Sequence, residues 1–291
     1  MHQKLHEIQG GCLQNPHEDV LVYPAHGAGT LCGKNLSKEN SSTIGEEKKT
    51  NWSLQDATED EFVKNILADQ PFIPQYFSFD VELNRKGASA MNESLSKIKR
   101  GEAINKNTNH SLDKTMWVVD TRNENTFKDG HLPHSINLME DGKFETWLGS
   151  IIKPNEKFYV AAESKAQLQS MLERVAVIGY ESQVAEAFLI DDANIKEEKI
   201  DVNQFKNQLE NYTIVDVRNT AEVVEGKIFK GSISIPLAEL RNRVNEIPAT
   251  KPIVVHCAGG YRSAAGSSLL QSKLNGRVKV YDLGEAIDQF N

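Results

Sequence analysis

Two stretches of the chain read as versions of one another. MWVVDTRNENTFKDGHLPHSINL, residues 116–138, and YTIVDVRNTAEVVEGKIFKGSISIPL, residues 212–237, each open on a short apolar, β-branched run and place Asp-x-Arg-Asn at its end, from Asp120 and Asp216. Each continues through a polar stretch to a glycine, Gly130 or Gly226, and a second short apolar run. The likeness extends downstream, where KFYVAAESKAQLQSMLERVAVIGY matches PIVVHCAGGYRSAAGSSLLQSKLNG. In both, a buried-strand pattern enters a loop and then a helix, with Leu168, Met171, Leu172 and Val175, or Leu269, Leu270 and Leu274, at helical spacing. A strand, loop and helix repeated in this way predict an α/β fold with a mostly parallel sheet covered on both faces. Chemistry in such sheets sits at the carboxyl ends of the strands.

Cys257 falls at such an end. In IVVHCAGGYRSAAGSSLL it follows an apolar strand and precedes a helix, with Gly259 and Gly260 between. Glycines let successive N–H groups converge, and the helix start adds the positive end of its dipole, so an anion on sulfur is favoured there. Arg262 supplies a fixed guanidinium fork for the anionic end of a donor. Asp216 and Arg218 are expected to tie the sheet ends together as a charge-assisted pair. His256 alternates away from its strand neighbours and reads as a core histidine rather than a base.

These residues carry a resemblance. CAGGYR, Cys257 through Arg262, resembles the active-site loop of the rhodanese family, and VVDTRN with DGHLPHSINL resembles that family's amino-terminal signature. The resemblance implies two tandem rhodanese-like domains, each a parallel five-stranded sheet flanked by helices. It implies a sulfurtransferase in which Cys257 takes sulfane sulfur and passes it to a thiol or to cyanide. Cys257 and Arg262 would be catalytic. Ala258, Gly259, Gly260, Tyr261 and Ser263 would bind substrate, and Asp216 and Arg218 would support the loop. The related dual-specificity phosphatases carry C-x5-R, one residue longer than the C-x4-R here, so sulfur transfer is favoured over phosphatase or arsenate reductase chemistry. A sulfur-binding or regulatory module without turnover is the other alternative. In the first repeat Ala162 stands near the position of Cys257, and no cysteine lies between Cys32 and Cys257. That repeat is expected to be silent, packing against the active one or shaping a channel. His131 and His134 lack a companion ligand at metal-site spacing.

Upstream, DVLVYPAHGAGTLCGKNL (residues 19–36) and FIPQYFSFDVELNRKG (72–87) resemble the last metal-site strand and the tail of metallo-β-lactamase-fold persulfide dioxygenases fused to rhodanese domains. Thr58 with Glu61 reads as a capping box. The resemblance gives three segments: 1–108 as the carboxyl-terminal remnant of a metallo-β-lactamase fold, 109–198 as the silent rhodanese-like domain and 199–291 as the active one. A helical arm without enzymatic ancestry is the alternative for the first segment. The H-x-H-x-D-H metal motif of that family is absent, which reads as an amino-terminal truncation. His26 would be the remnant of a lost metal site. Full-length relatives would bind a mononuclear iron, and no cofactor is expected here. Cys32 is either a thiol without a task or a cysteine near a dioxygenase substrate.

Composition narrows the partners. A net charge of −8, from 33 basic and 41 acidic side chains, disfavours nucleic acid. No apolar run reaches the length of a membrane span, and the first residues lack a signal-peptide core, so a cytoplasmic protein is expected. Cys12, Cys32 and Cys257 are odd in number and far apart, so each is judged as a thiol. The expected partners are thiosulfate, glutathione or coenzyme A type persulfides, and thiol acceptors. A homo-oligomer is left open.

Overall fold

The computed structural model describes residues 17–23, 40–68, 72–107 and 111–290. His26, Cys12 and Cys32 lie outside the described residues. The chain divides into one unit up to Pro71 and a second from Phe72 to Asn291.

In the first unit, β1 (Leu21–Val22) pairs antiparallel with β2 (Ser42–Thr43). Helices α1 (Ile44–Thr50) and α2 (Glu59–Leu67) follow. Both starts are capped as their sequences ask. The Thr43 hydroxyl accepts from the Glu46 N–H, and Thr58 and Glu61 form the expected capping box, with Thr58 N–H donating to Glu61 Oε2 at 3.0 Å.

The second unit opens with α3 (Tyr76–Lys86) and α4 (Met91–Ser96). The first repeat then runs β3 (Trp117–Asp120), α5 (Glu124–Asp129), β4 (Ser135–Asn137), α6 (Phe144–Ile151), β5 (Phe158–Ala162), α7 (Lys165–Val177) and β6 (Val184–Leu189). The second runs α8 (Val202–Asn207), β7 (Thr213–Asp216), α9 (Thr220–Glu225), β8 (Ile233–Ser234), α10 (Leu237–Arg243), β9 (Ile253–His256), α11 (Tyr261–Leu274) and β10 (Val280–Asp282). The two sheets have orders β4-β3-β5-β6 and β10-β9-β7-β8, and every pairing within them is parallel. Strands β3, β5 and β9 are buried at every residue, which is why their sequences are continuous apolar runs rather than alternating ones.

Each sheet has four strands, a correction to the five expected. In the first repeat, residues 99–104 do run beside β6. They meet it only at isolated bridges, Arg100 with Ala187 and Ile104 with Ile190, a spacing of four residues against three that interrupts the ladder. In the second repeat, the segment before α8 gives its backbone groups to the first domain instead. His131 N–H donates to Ile195 C=O at 2.8 Å, and Glu197 N–H donates to Lys128 C=O at 2.9 Å.

One continuous core runs through both repeats. It is made possible by α11, whose run from Ser263 to Ser268 is buried throughout. Small side chains let this helix approach its own sheet closely: a Cβ on Gly266 would stand 3.2 Å from Val217 and from Val255. The far side of the same helix meets β4, where Asn137 N–H donates to Ser268 Oγ at 2.9 Å. Over this stretch the helix is enclosed on all sides and needs no amphipathic stripe.

Candidate active site

The registers of the two sheets fix what corresponds to what. Val119 pairs with Val160 and Val215 with Val255, so two residues on, Ala162 stands where Cys257 does. Cys257 is 1% exposed at the carboxyl end of β9. The Gly260 N–H donates to its Sγ at 3.2 Å. That contact requires Gly260 to hold φ +95°, a region open to glycine and strained for other residues. Gly259 is not required in the same way, since a Cβ there would meet nothing. Ala258 and Gly259 are exposed, so the loop opens to solvent on their side. The amides of Tyr261, Arg262 and Ser263, in the first turn of α11, have no intrahelical acceptor by position and complete a nest at the helix start. The Ser263 hydroxyl donates back to Gly260 C=O at 2.8 Å and closes the loop.

Arg262 is held by a residue that the sequence reading did not single out. Its Nη1 donates to Glu222 Oε2 at 2.5 Å and its Nη2 to Glu222 Oε1 at 2.8 Å. Burial works against the guanidinium charge, yet Glu222 and, secondarily, the Cys257 sulfur hold Arg262 above its ordinary value. The same bonds hold the Glu222 carboxyl below the usual carboxylate range. The signal in the sequence was Asn219-x-x-Glu222 at a helix start: Glu222 also accepts the Asn219 N–H at 3.0 Å.

Asp216 and Arg218 form the expected buried pair, with Arg218 Nε and Nη2 on the carboxylate and Nη2 reaching Gly226 C=O at 2.9 Å. Asp120, Arg122 and Gly130 repeat this arrangement in the first domain. A unit present beside both a cysteine and an alanine serves the fold. His256 is fully buried, edge-on to Phe229, with Nε2 3.7 Å from Asp216 Oδ2. Burial holds it below the ordinary histidine range against the pull of Asp216.

The Tyr261 side chain leaves the loop for the first domain. Its hydroxyl donates to Met139 C=O at 3.0 Å, and its ring lies where Gly142, at φ +76°, leaves no Cβ in the way. Behind the loop, Lys128 pairs with Asp282 at 2.7 Å, and Asp282 accepts the Gly284 N–H at 2.9 Å. Gly284 in turn lies against Gly260. His131 and His134 face different partners, His131 stacking on Phe127 and His134 on Trp117. Among the described residues no group of three or more His, Cys, Asp or Glu is placed to hold a metal ion. No helix among them is long and apolar enough to cross a membrane.

Residues 102–186 and 201–290, together more than half of the chain, match the family model described as Rhodanese-like domain. The chain is similar to the uncharacterized protein YqhL of Bacillus subtilis, at 36% identity over 70 residues, covering 24% of this chain and 53% of that protein. It is similar to a sulfurtransferase of Allochromatium vinosum, at 32% identity over 69 residues, covering 24% of this chain and 64% of that protein. It thus spans less than two thirds of the length of either relative. Among solved structures, it is similar to a metallo-beta-lactamase from Staphylococcus aureus, at 21% identity and TM-score 0.47, covering 65% of this chain and 50% of that one.

Proposed function

Since the chain belongs to the rhodanese-like domain family, we propose that its second domain is a sulfurtransferase working through a persulfide on Cys257. The observation that carries this reading is the buried Sγ accepting the Gly260 N–H at the start of α11, the place where backbone donors can receive an anionic sulfur. The Cys257 thiolate attacks the outer sulfur of a donor. With thiosulfate the S–S bond breaks and sulfite leaves with the electron pair, which puts the transferred sulfur on Cys257. A thiolate, or cyanide in an assay, then attacks that outer sulfur and Cys257 returns as the leaving thiolate. The donors are thiosulfate or low-molecular-weight persulfides of the glutathione or coenzyme A type, and the acceptors are thiols.

The first domain, with Ala162 at the cysteine position, takes no sulfur and holds the loop in place through Met139, Gly142 and Lys128. The sequence motifs upstream support a setting in sulfide detoxification, as the portion of a persulfide dioxygenase–rhodanese fusion that handles sulfur transfer. The described residues do not fit the iron of such a dioxygenase, and no step here passes through it. In the test, Cys257→Ser abolishes sulfur transfer from thiosulfate to cyanide, while Cys12→Ser and Cys32→Ser retain most of it. Undiminished transfer by the Cys257 variant would overturn the reading.

A further inference from the structure

Sulfur donors differ in charge. Thiosulfate is a dianion throughout the neutral pH range, whereas a persulfide R–S–SH carries no charge on its transferable sulfur when protonated. A loop that gathers dianions needs surplus positive charge at its mouth. Here both guanidinium groups at the sheet end are matched by carboxylates: Arg218 by Asp216 at 2.7 Å and Arg262 by Glu222 at 2.5 Å. What remains for an incoming anion is the amide nest and a guanidinium whose charge is already matched by Glu222, although it also reaches the Cys257 sulfur. Glu222 is also the more outward member of its pair, its side chain 34% exposed against 15% for Arg262. A donor entering over Ala258 and Gly259 therefore meets a carboxylate as well as the guanidinium.

The Glu222–Arg262 pair follows the cysteine rather than the fold. The first domain keeps the Asp-x-Arg pair, but Thr126 stands where Glu222 would be and, counted from the first residue of each helix, Ala166 stands where Arg262 would be, with Gln167 next to it. There Gln167 serves its own loop, its Oε1 accepting the Glu163 N–H at 2.9 Å and its Nε2 donating to Thr121 C=O at 3.1 Å. Both members of the pair are thus replaced in the domain that has no thiol.

We propose that Glu222 is a specificity-determining residue that neutralises Arg262 and holds down reaction with dianionic donors relative to donors uncharged at the transferred sulfur. The proposal rests on the sulfurtransferase reading of Cys257. For the uncharged donor, the Cys257 thiolate attacks the outer sulfur of R–S–SH, the donor S–S bond breaks, R–S⁻ departs with the electron pair, and the proton stays on Cys257–S–SH. No oxidant or reductant is consumed.

The test compares, in the full chain, the rate of persulfide formation on Cys257 as a function of donor concentration for thiosulfate and for the persulfide of 2-mercaptoethanol, which carries no carboxylate, with the latter referred to its protonated R–S–SH fraction. Glu222→Gln keeps one oxygen for the Asn219 N–H and Arg262 Nη1, removes the charge, and replaces the acceptor of Arg262 Nη2 with an amide donor, which releases that arm of the guanidinium. It is expected to raise the thiosulfate-to-persulfide ratio of loading efficiencies about fivefold, the upper end for a partly screened charge interaction. The gain should appear as a lower half-saturating thiosulfate concentration and shrink with added salt. Glu222→Asp, which keeps the charge, should stay close to the wild-type ratio. An unchanged ratio in Glu222→Gln, or the same shift in both variants, would overturn the proposal while leaving the role of Cys257 intact. Failure of both donors to load the wild-type chain would remove the sulfurtransferase reading itself.

Discussion

His131 of the first domain and Glu197 of the segment leading to the second lie where the two run side by side, His131 N–H donating to Ile195 C=O, and their acid–base behaviour runs in opposite senses. Burial, against weaker pulls from the Phe127 carbonyl and Asp120, takes His131 from 6.5 down to about 4. Burial, reinforced by Asp282 and opposed by Lys128, takes Glu197 from 4.5 up to about 7. The stability that neutral His131 permits is complete above its unfolded value of 6.5 and is lost as pH falls toward about 4. For Glu197 the sign reverses: stability is complete below 4.5 and is lost as pH rises toward about 7. Relative to wild type, His131→Gln should therefore gain stability as pH falls below 6.5, and Glu197→Gln as pH rises above 4.5. Each difference should approach a slope of about 1.4 kcal/mol per pH unit, one proton's worth. Urea unfolding between these limits measures both, and parallel profiles for wild type and the two variants would show that neither group titrates as described.

The two strand-to-helix loops differ by one residue on a shared fold. In the first domain α7 starts at Lys165, three residues after Ala162, with the Ser164 hydroxyl accepting the Gln167 N–H at 3.1 Å. In the second, α11 starts at Tyr261, four residues after Cys257, and the extra residue of loop is what turns the Gly260 N–H onto sulfur. Ala162→Cys, made in a Cys257→Ser background, should therefore gain no persulfide from thiosulfate. Sulfur on position 162 at a rate near that of Cys257 would contradict this. Much of this was legible beforehand. Asp-x-Arg-Asn marked both strand ends, the β-branched runs marked the buried strands, and Cys257 beside Gly260 marked the loop. The four-stranded sheets were not legible, because whether residues 99–104 or 195–199 join an edge is decided by competing backbone partners far along the chain. Nor was the side-chain direction of Tyr261, which depends on a pocket at Gly142 supplied by the other domain. Glu222 left a trace only as a helix cap, since its second bond, to Arg262, spans forty residues of sequence.

At the scale of the whole molecule, the domain without a thiol packs against the other one and touches its loop. The shared core, the Lys128–Asp282 pair and the Tyr261 contact join the two repeats into one unit from Phe72 onward. Arg241 of α10 adds to the join, donating to Glu156 at 2.6 Å and lying over the Trp117 ring. The Cys257 loop is thereby packed from behind and exposed at Ala258 and Gly259, the side on which the proposed small donor would arrive and the acceptor leave. The proposed chemistry centres on one atom, the Cys257 Sγ, so the most direct measurement is the mass of the intact chain after brief exposure to thiosulfate or glutathione persulfide, followed by peptide mapping. The account predicts a gain of about 32 Da, one sulfur atom, located on Cys257, lost again on adding cyanide or a thiol, and absent in Cys257→Ser. A gain located elsewhere in the chain, or an unmodified Cys257 under conditions where both donors are intact, would contradict it.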